Sequence, residues 1–501
     1  MKSILIFFIL ILLLQLAESA KKGSGKGKGS GKDSTATSKD PCKPKQIHIA
    51  LSDAFATYNS TTDSTMKVIF HTQEECSSAY ITLKTPKGGN KKIQATAVNF
   101  FHDKLKTGNY STYVHVFDFK NLNFAQTYEY TCHGSDNKDL DKPQGPFQFY
   151  VPTPKKKGQQ TQVVMFADMD HSKDGNHTIS KLAEIAQNNF TNISAFIHYG
   201  DMAYNMKGSG GKKGDRYMKA VQKFAATMPY MVTAGNHETT HNFSLFNMRF
   251  QMPMFDQSQN HYYSFNLGNM HFVSWNLDLV IKKPHLENAM LDWLEQDLQN
   301  AALNRANQPW IIAYTHRPLY CSYGNDPDCT KNHEKFSKFE DLLLKYNVDL
   351  LVAGHVHFYE RMLPIRRGAI APFQQNQGDT NFNEIINPQG PVHILQGMAG
   401  HKGDKADPKE IYKGKAWTVK VSKAYSFLSV KSSNSTHLLV ENFESKTGNV
   451  NDYFYVIKSN SLKYAKVPMA KLTNLRPSSN SAWQLGSSLL ALIFVCLYLF
   501  V

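Results

Sequence analysis

Five apolar runs of strand length, each ending in side chains that can bind a cation, constrain this chain more than any other feature. Val163-Val164-Met165-Phe166-Ala167 leads to Asp168, and Ala195-Phe196-Ile197 leads through Gly200 to Asp201 and Tyr204. Tyr230-Met231-Val232-Thr233-Ala234 leads to Gly235-Asn236-His237-Glu238, and Trp310-Ile311-Ile312-Ala313-Tyr314 to Thr315-His316-Arg317. Leu350-Leu351-Val352-Ala353 leads to Gly354-His355-Val356-His357. Helical periodicity falls between them. Ile179, Leu182, Ile185 and Ala186 share one face of Thr178–Asn188, and Leu286–Leu298 and Phe336–Tyr346 are also expected helices. Alternating strands and helices predict an α/β arrangement with ligands at the carboxyl edge of the sheet. A single Asp after a strand is an ordinary turn residue. Core packing gives no reason for five such clusters in chain order, so they are read as one shared site.

The donor types suit two cations. Asp168 and Asp201 offer carboxylates, Tyr204 a phenolate, Asn236 an amide, and His316, His355 and His357 imidazoles. Asp201 is read as the bridge. Hard carboxylate and phenolate oxygens favour Fe(III) at one position, while His and Asn favour a divalent ion, Zn, Mn or Fe, at the other. Such a pair clamps a phosphate and lowers the pKa of a bound water. A trivalent ion lowers it further, so that hydroxide persists in acid.

The remaining chain divides by composition. Residues 1–20 read as a secretory signal, with Lys2, the apolar Ile4–Leu14 and the cleavage pattern Ala17-Glu18-Ser19-Ala20. Sequons at Asn59, Asn109, Asn176, Asn189, Asn192, Asn242 and Asn434 agree with export and glycosylation. Residues 21–40 are a Lys/Gly/Ser-rich linker. Residues 41–153 hold short β-type runs such as Met66–Phe70, Tyr113–Phe117 and Thr127–Thr131, as in an antiparallel sandwich. His71, His102, His115 and His133 have no clustered partners there and read as structural. The catalytic core is expected over 160–375, completed by 376–465. A stalk, 466–481, precedes a tail, 482–501, whose last thirteen residues are apolar. That run is short against the ~20 residues of a spanning helix, and small residues precede it, so a lipid-anchor signal is preferred over a membrane span. The net charge of +15 lies largely in the low-complexity ends and linkers, and no nucleic-acid partner is expected. Among the cysteines, Cys321 and Cys329 bracket a loop they can close, and Cys76 can pair with Cys132, leaving Cys42 over.

Taken together, Gly200-Asp-Met-Ala-Tyr204, Gly235-Asn-His-Glu238, Ala313-Tyr-Thr-His316 and Gly354-His-Val-His357 resemble the purple acid phosphatases, within the binuclear metallophosphoesterases. Phe358-Tyr359-Glu360-Arg361, Thr315–Ser322 with Asp328-Cys329-Thr330, and Pro391–Gly400 resemble the long animal-type branch. The resemblance implies an α+β multidomain protein: a fibronectin-III-like β-sandwich followed by a four-layer αββα metallophosphoesterase domain. It implies a ferric site of Asp168, Asp201, Tyr204 and His357 and a divalent site of Asp201, Asn236, His316 and His355. His237 would contact the phosphate and assist the leaving group. The expected activity is that of a secreted or surface-anchored acid phosphatase. Its nucleophile would be a metal-bound hydroxide, and its substrates phosphorylated small molecules or phosphoproteins. The expected location is the cell surface, the extracellular space or a lysosome or vacuole. A metal-dependent phosphodiesterase, or a catalytically weak surface binding protein, is the alternative on the same scaffold.

One motif departs from the family. Where Asp-x-Gly is expected, the chain reads Asp168-Met169-Asp170. Asp170 is either an additional ligand competing with Tyr204 or a loop residue turned away. Near the site, Arg317 faces substrate or is an exposed structural group, and His401 lines the pocket or the surface. The Lys/Gly-rich Asn205–Asp215 insertion is a surface loop or a basic lid.

Overall fold

The computed structural model describes residues 40–55, 64–105, 108–153, 160–324, 326–401, 415–432 and 434–458. The expected signal (1–20), most of the linker, Asn59, the stalk (466–481) and the tail (482–501) lie outside the described residues. Among the described residues no helix is long and apolar enough to cross a membrane.

The first unit is a sandwich of two antiparallel four-stranded sheets. One is built from β1 (Lys45–Leu51), β2 (Ser64–Thr72), β5 (Ala97–Leu105) and β6 (Gly108–Lys120), in the order β1-β2-β6-β5. The other has the order β4-β3-β7-β8, from β3 (Tyr80–Lys84), β4 (Asn90–Gln94), β7 (Thr127–His133) and β8 (Gln144–Tyr150). Alternate residues of β7, namely Tyr128, Tyr130 and Cys132, point inward. Across the gap Tyr130 meets Phe119 edge-on, with ring centroids 5.8 Å apart. The four histidines read as structural are scattered through this unit. His133 bonds Asp141 at 2.6 Å, and His115 bonds Thr72 at 2.8 Å.

The cysteine pairing differs from expectation. Cys42 bonds Cys76, and Cys132 is free and buried. Antiparallel pairing is the reason. The start of β1 and the end of β2 lie side by side, with Lys45 opposite His71, so residues just outside both strands meet. Cys132 instead faces the sandwich core. Cys321 and Cys329 pair as expected.

The second unit has two mixed sheets. In the first, β9 (Thr161–Phe166), β10 (Ala195–Tyr199) and β11 (Tyr230–Thr233) run parallel. In the second, β12 (Tyr262–Leu267) pairs antiparallel with β13 (Met270–Trp275), after which β14 (Trp310–Thr315) and β15 (Leu350–Ala353) run parallel to β13. β16 (Tyr359–Arg366), β17 (Ala369–Ile370), β19 (Val392–Gln396) and β20 (Thr418–Ser422) extend that sheet. β18 (Glu384–Ile386), β21 (Ser426–Ser432), β22 (His437–Glu444) and β23 (Val450–Ile457) extend the first. The stretch expected to complete the catalytic core therefore feeds strands to both sheets. The sheets face each other: Tyr199 Oη donates to the Gln396 carbonyl at 3.2 Å, and Thr233 meets Ser274.

Helices cover the outer faces. α1 (Lys173–Asn189) and α2 (Lys212–Ala225) lie on the first sheet, where Phe224 packs against Phe166 and Phe196. α3 (Glu287–Leu303), α4 (Pro327–Lys335) and α5 (Ser337–Lys345) belong to the second, where Phe339 stacks on Trp275. The result is the expected αββα layering.

Candidate metal centre

Parallel neighbours deliver their ends to the same edge. The loops after β9, β10 and β11 emerge side by side from one sheet, and those after β14 and β15 from the facing sheet. The expected side chains meet where the two edges face. Their backbones are strained: φ is +61° at Asp168, +54° at Asp201, +41° at Tyr204 and +75° at His355. Left-handed backbone at such residues costs about 1–3 kcal/mol each and persists only where the surroundings over-determine it.

Two motif glycines permit the crowding. A Cβ at Gly200, itself at φ +100°, would lie 2.3 Å from His316 Nδ1. One at Gly235 would lie 2.3 Å from Asp201 Oδ1.

Glu238 ties the loops together. Its Oε2 accepts from the backbone N–H of Asp201 and of Gly235, each at 2.9 Å, and its Oε1 from Met202 at 3.0 Å. Asp168 likewise ties the loop after β9 to the loop after β15, accepting from His355 N–H at 2.8 Å.

The cluster has two halves, and the Asp201 carboxylate lies with the second. In one, Tyr204 Oη donates to Asp168 Oδ1 at 2.8 Å and lies 2.7 Å from His357 Nε2, which is 3.3 Å from Asp168. In the other, His316 Nε2 lies 3.1 Å from Asn236 Oδ1 and 3.3 Å from Asp201 Oδ1. Ligand atoms of Asp201, His316 and His355 all lie within 4.8 Å of one another. His237 borders the cluster, its Nε2 3.7 Å from Asp201 Oδ2 and its Nδ1 3.0 Å from Asn205 Oδ1.

Electrostatically this pocket calls for positive charge. Burial opposes the charge on Asp201, but the His316 imidazolium, with His237 and His355, holds its carboxyl well below the usual range. Burial likewise works against charge on His316, yet Asp201 and Asp168 push it up to about 10. Burial and the same two carboxylates hold the Tyr204 phenol protonated. Protons thus balance the carboxylates where cations would otherwise do so.

The donors fit such cations. His355 Nδ1 is buried without a hydrogen-bond partner, as a nitrogen kept for a ligand would be. Mixed carboxylate, phenol, amide and imidazole donors match a hard and a borderline ion side by side.

Asp168, Asp201, Tyr204, Asn236, His316, His355 and His357 are therefore brought together. Asp170 stands at the border with both oxygens engaged: Oδ1 accepts from Ser172 N–H at 2.9 Å, and Oδ2 lies 3.0 Å from His401 Nδ1. His401 in turn stacks on the Tyr204 ring, their planes 10° apart, so it lines the pocket. Arg317 is not an exposed group, because Asp278 and Asp328 hold its Nε and Nη1. Part of the 205–215 insertion is the first turn of α2, and Lys213 Nζ donates to the Tyr204 carbonyl at 2.6 Å.

Sequence reasoning missed the roles of Asn205, Glu238 and Asp328; for Glu238 alone a local signal existed, its place within the Gly235–Glu238 motif. Among the sequons, Asn109, Asn176, Asn192 and Asn242 are exposed and Asn434 is half-buried. Asn189 is a correction: it is 3% exposed at the end of α1, where a glycan has no room in the folded chain.

Comparison with known proteins agrees with this geometry. Residues 161–359 match the calcineurin-like phosphoesterases, and residues 390–453 match the iron/zinc purple acid phosphatase-like protein C family. Acid phosphatase type 7 of Mus musculus is 32% identical over 360 residues, covering 69% of this chain and 77% of the mouse protein. The Homo sapiens protein of that name is 35% identical over 276 residues, covering 53% of this chain and 61% of the human one. A purple acid phosphatase from yellow lupin (Lupinus luteus) seeds shares the fold, with a TM-score of 0.68 at 20% identity, covering 85% of this chain and 78% of the lupin chain. The chain belongs to the purple acid phosphatases, binuclear metal enzymes among the calcineurin-like phosphoesterases.

Proposed function

We propose that this protein is an acid phosphatase that hydrolyses phosphate monoesters on small molecules or phosphoproteins at a binuclear Fe(III)–M(II) centre, M being Zn, Mn or Fe. The observation that supports the reading is the gathering of donors at five strand ends into two adjoining groups, Asp168, Tyr204 and His357 in one and Asp201, Asn236, His316 and His355 in the other. Asp168, Asp201, Tyr204 and His357 would hold the ferric ion, and Asp201, Asn236, His316 and His355 the divalent one. When bound, the two ions supply Lewis acidity to the phosphate and lower the pKa of a water.

The chain's own residues do the rest. Asp201, as the proposed bridge, would belong to both sets. Asn205 holds His237 through Nδ1, leaving Nε2 to face the cluster. From there Nε2 delivers a proton to the leaving oxygen. His237 retains 32% side-chain exposure, which leaves it within reach of an entering ester. Asp170 is read as the partner of His401 rather than an eighth donor, because its oxygens meet Ser172 and His401 and none of the seven donors. Two disulfides agree with an oxidising compartment and so with the expected export.

The test is metal quantitation and a visible spectrum on the purified full chain, with rates on an aryl phosphate monoester and a diester. Two ions per chain, a charge-transfer band lost in Tyr204→Phe, and preference for the monoester are expected. A faster diester reaction would move the assignment to a phosphodiesterase. Fewer than about one ion per chain with no turnover at any pH would end it.

A further inference from the structure

The pocket's least explained feature lies behind His355. Its Nε2 is taken by Asp328, whose Oδ2 lies 2.6 Å away. Arg317 Nη1 also donates to Asp328 and stands 3.1 Å from the same imidazole nitrogen. On its far side Arg317 Nε donates to the buried Asp278 at 2.7 Å. A chain of charged groups, Asp278–Arg317–Asp328, thus ends on the back of His355.

The remaining imidazole nitrogen, Nδ1, is the buried atom without a partner. A carboxylate accepting from Nε2–H fixes the neutral tautomer with its lone pair on Nδ1 and holds the ring against rotation. His355 needs that support, because its backbone sits at φ +75°, where local propensity offers none.

Asp328 is itself held in place by covalent structure. It occupies the first turn of α4, where Asp326 caps the helix by accepting from Asp328 N–H at 2.8 Å. Its neighbour Cys329 is bonded to Cys321, closing the loop that begins just after His316 and Arg317. The disulfide therefore joins the loop that leaves one proposed ligand to the helix that braces another.

We propose that Asp328 is a positioning residue for the divalent site: it sets the tautomer and orientation of His355, and the Cys321–Cys329 disulfide holds it in place. This rests on the assignment of His355 as a ligand of the divalent ion. Of the seven donors Asp328 meets His355, so its removal acts through that residue.

The experiment uses the full chain and reads metal content by element, together with the visible spectrum. Asp328→Asn keeps the shape and removes the charge. It is expected to weaken retention of the divalent ion about 10–100-fold against a chelator, while iron and the visible band stay at wild-type level. Cys321→Ser combined with Cys329→Ser is expected to shift the divalent ion in the same direction by less. Asp326→Ala removes the cap that holds Asp328 and is expected to shift the divalent ion in the same direction by less than Asp328→Asn; Asp328→Glu should restore part of the affinity.

Wild-type divalent affinity in Asp328→Asn, or equal loss of both ions, overturns the proposal. If Asp328→Asn does not fold, divalent retention in the double cysteine variant decides, and no change there overturns it. Failure of the underlying reading looks different: wild-type protein itself would then hold no pair of ions.

Discussion

At the scale of single residues, the centre separates the proposed cation donors from the groups that hold those donors in place. His237 belongs to neither. It borders the cluster, half-buried, and burial lowers its pKa from the usual imidazole value. Its replacement by Ala should cut turnover on an aryl monoester by about 10²–10⁴, the range for a general acid, with both ions retained. Loss of an ion instead would make it a ligand. Glu238 behaves differently. It is 3% exposed and accepts three backbone N–H groups from two loops. Glu238→Ala orphans those donors, at a cost of roughly 1–3 kcal/mol for each one that water does not reach. The expected result is a lowered melting temperature together with loss of both ions, read by calorimetry and metal analysis on the same sample. The seven candidate donors were legible because each lies in the few residues after a strand end. Asn205, Asp328 and the Asp170–His401 pair were not, since their partners are set by how distant loops fold back, which spacing does not encode.

At the scale of elements, periodicity located the strands but not what surrounds them. α1 begins at Lys173, ahead of its apolar face, because Ser172 supplies a cap: its hydroxyl accepts from Gly175 N–H. The 205–215 insertion looked like loop from its glycines and lysines, yet it opens α2, whose apolar face begins only at Tyr217. The pairing among Cys42, Cys76 and Cys132 was illegible for a plainer reason. Residue spacing does not say which face of a strand a thiol occupies, and β7 turns Cys132 into the core. Burial there pushes its thiol well above the usual value, which leaves little thiolate. Alkylation of folded protein, mapped by mass spectrometry, should leave Cys132 unmodified until denaturant is added. Labelling at the rate of an exposed thiol would mean that the sandwich opens or that the pairing is wrong.

At the scale of the molecule, the sandwich and the metal domain are joined through buried charge, and this sets how the protein meets acid. Arg249, fully buried, donates to Asp215 at 2.9 Å, to Tyr110 at 3.0 Å and to Gln46 at 3.1 Å, drawing β1, β6 and α2 together. His48 of β1 lies in the same seam, edge-on to Phe250 with ring centroids 5.3 Å apart. Burial is the main cause that lowers its pKa to about 4, with the Arg249 charge adding to it. The sign follows from linkage. Above the unfolded value of about 6.5 neither state carries the proton. Between there and about 4 only the unfolded chain binds it, so stability falls as pH falls across that window. Below about 4 both states bind it and the loss is complete. The gap amounts to about 3 kcal/mol at most. A centre suited to acid chemistry is thus carried on a frame that acid loosens. His48→Gln removes the titration while leaving a polar side chain beside Gln46 and Arg249. Its melting temperature should lie below wild type near neutrality, from imperfect packing, and fall less steeply between pH 6.5 and 4. Parallel curves for the two proteins would place the acid sensitivity elsewhere, with His115 next in line, since burial brings it to about 4 as well.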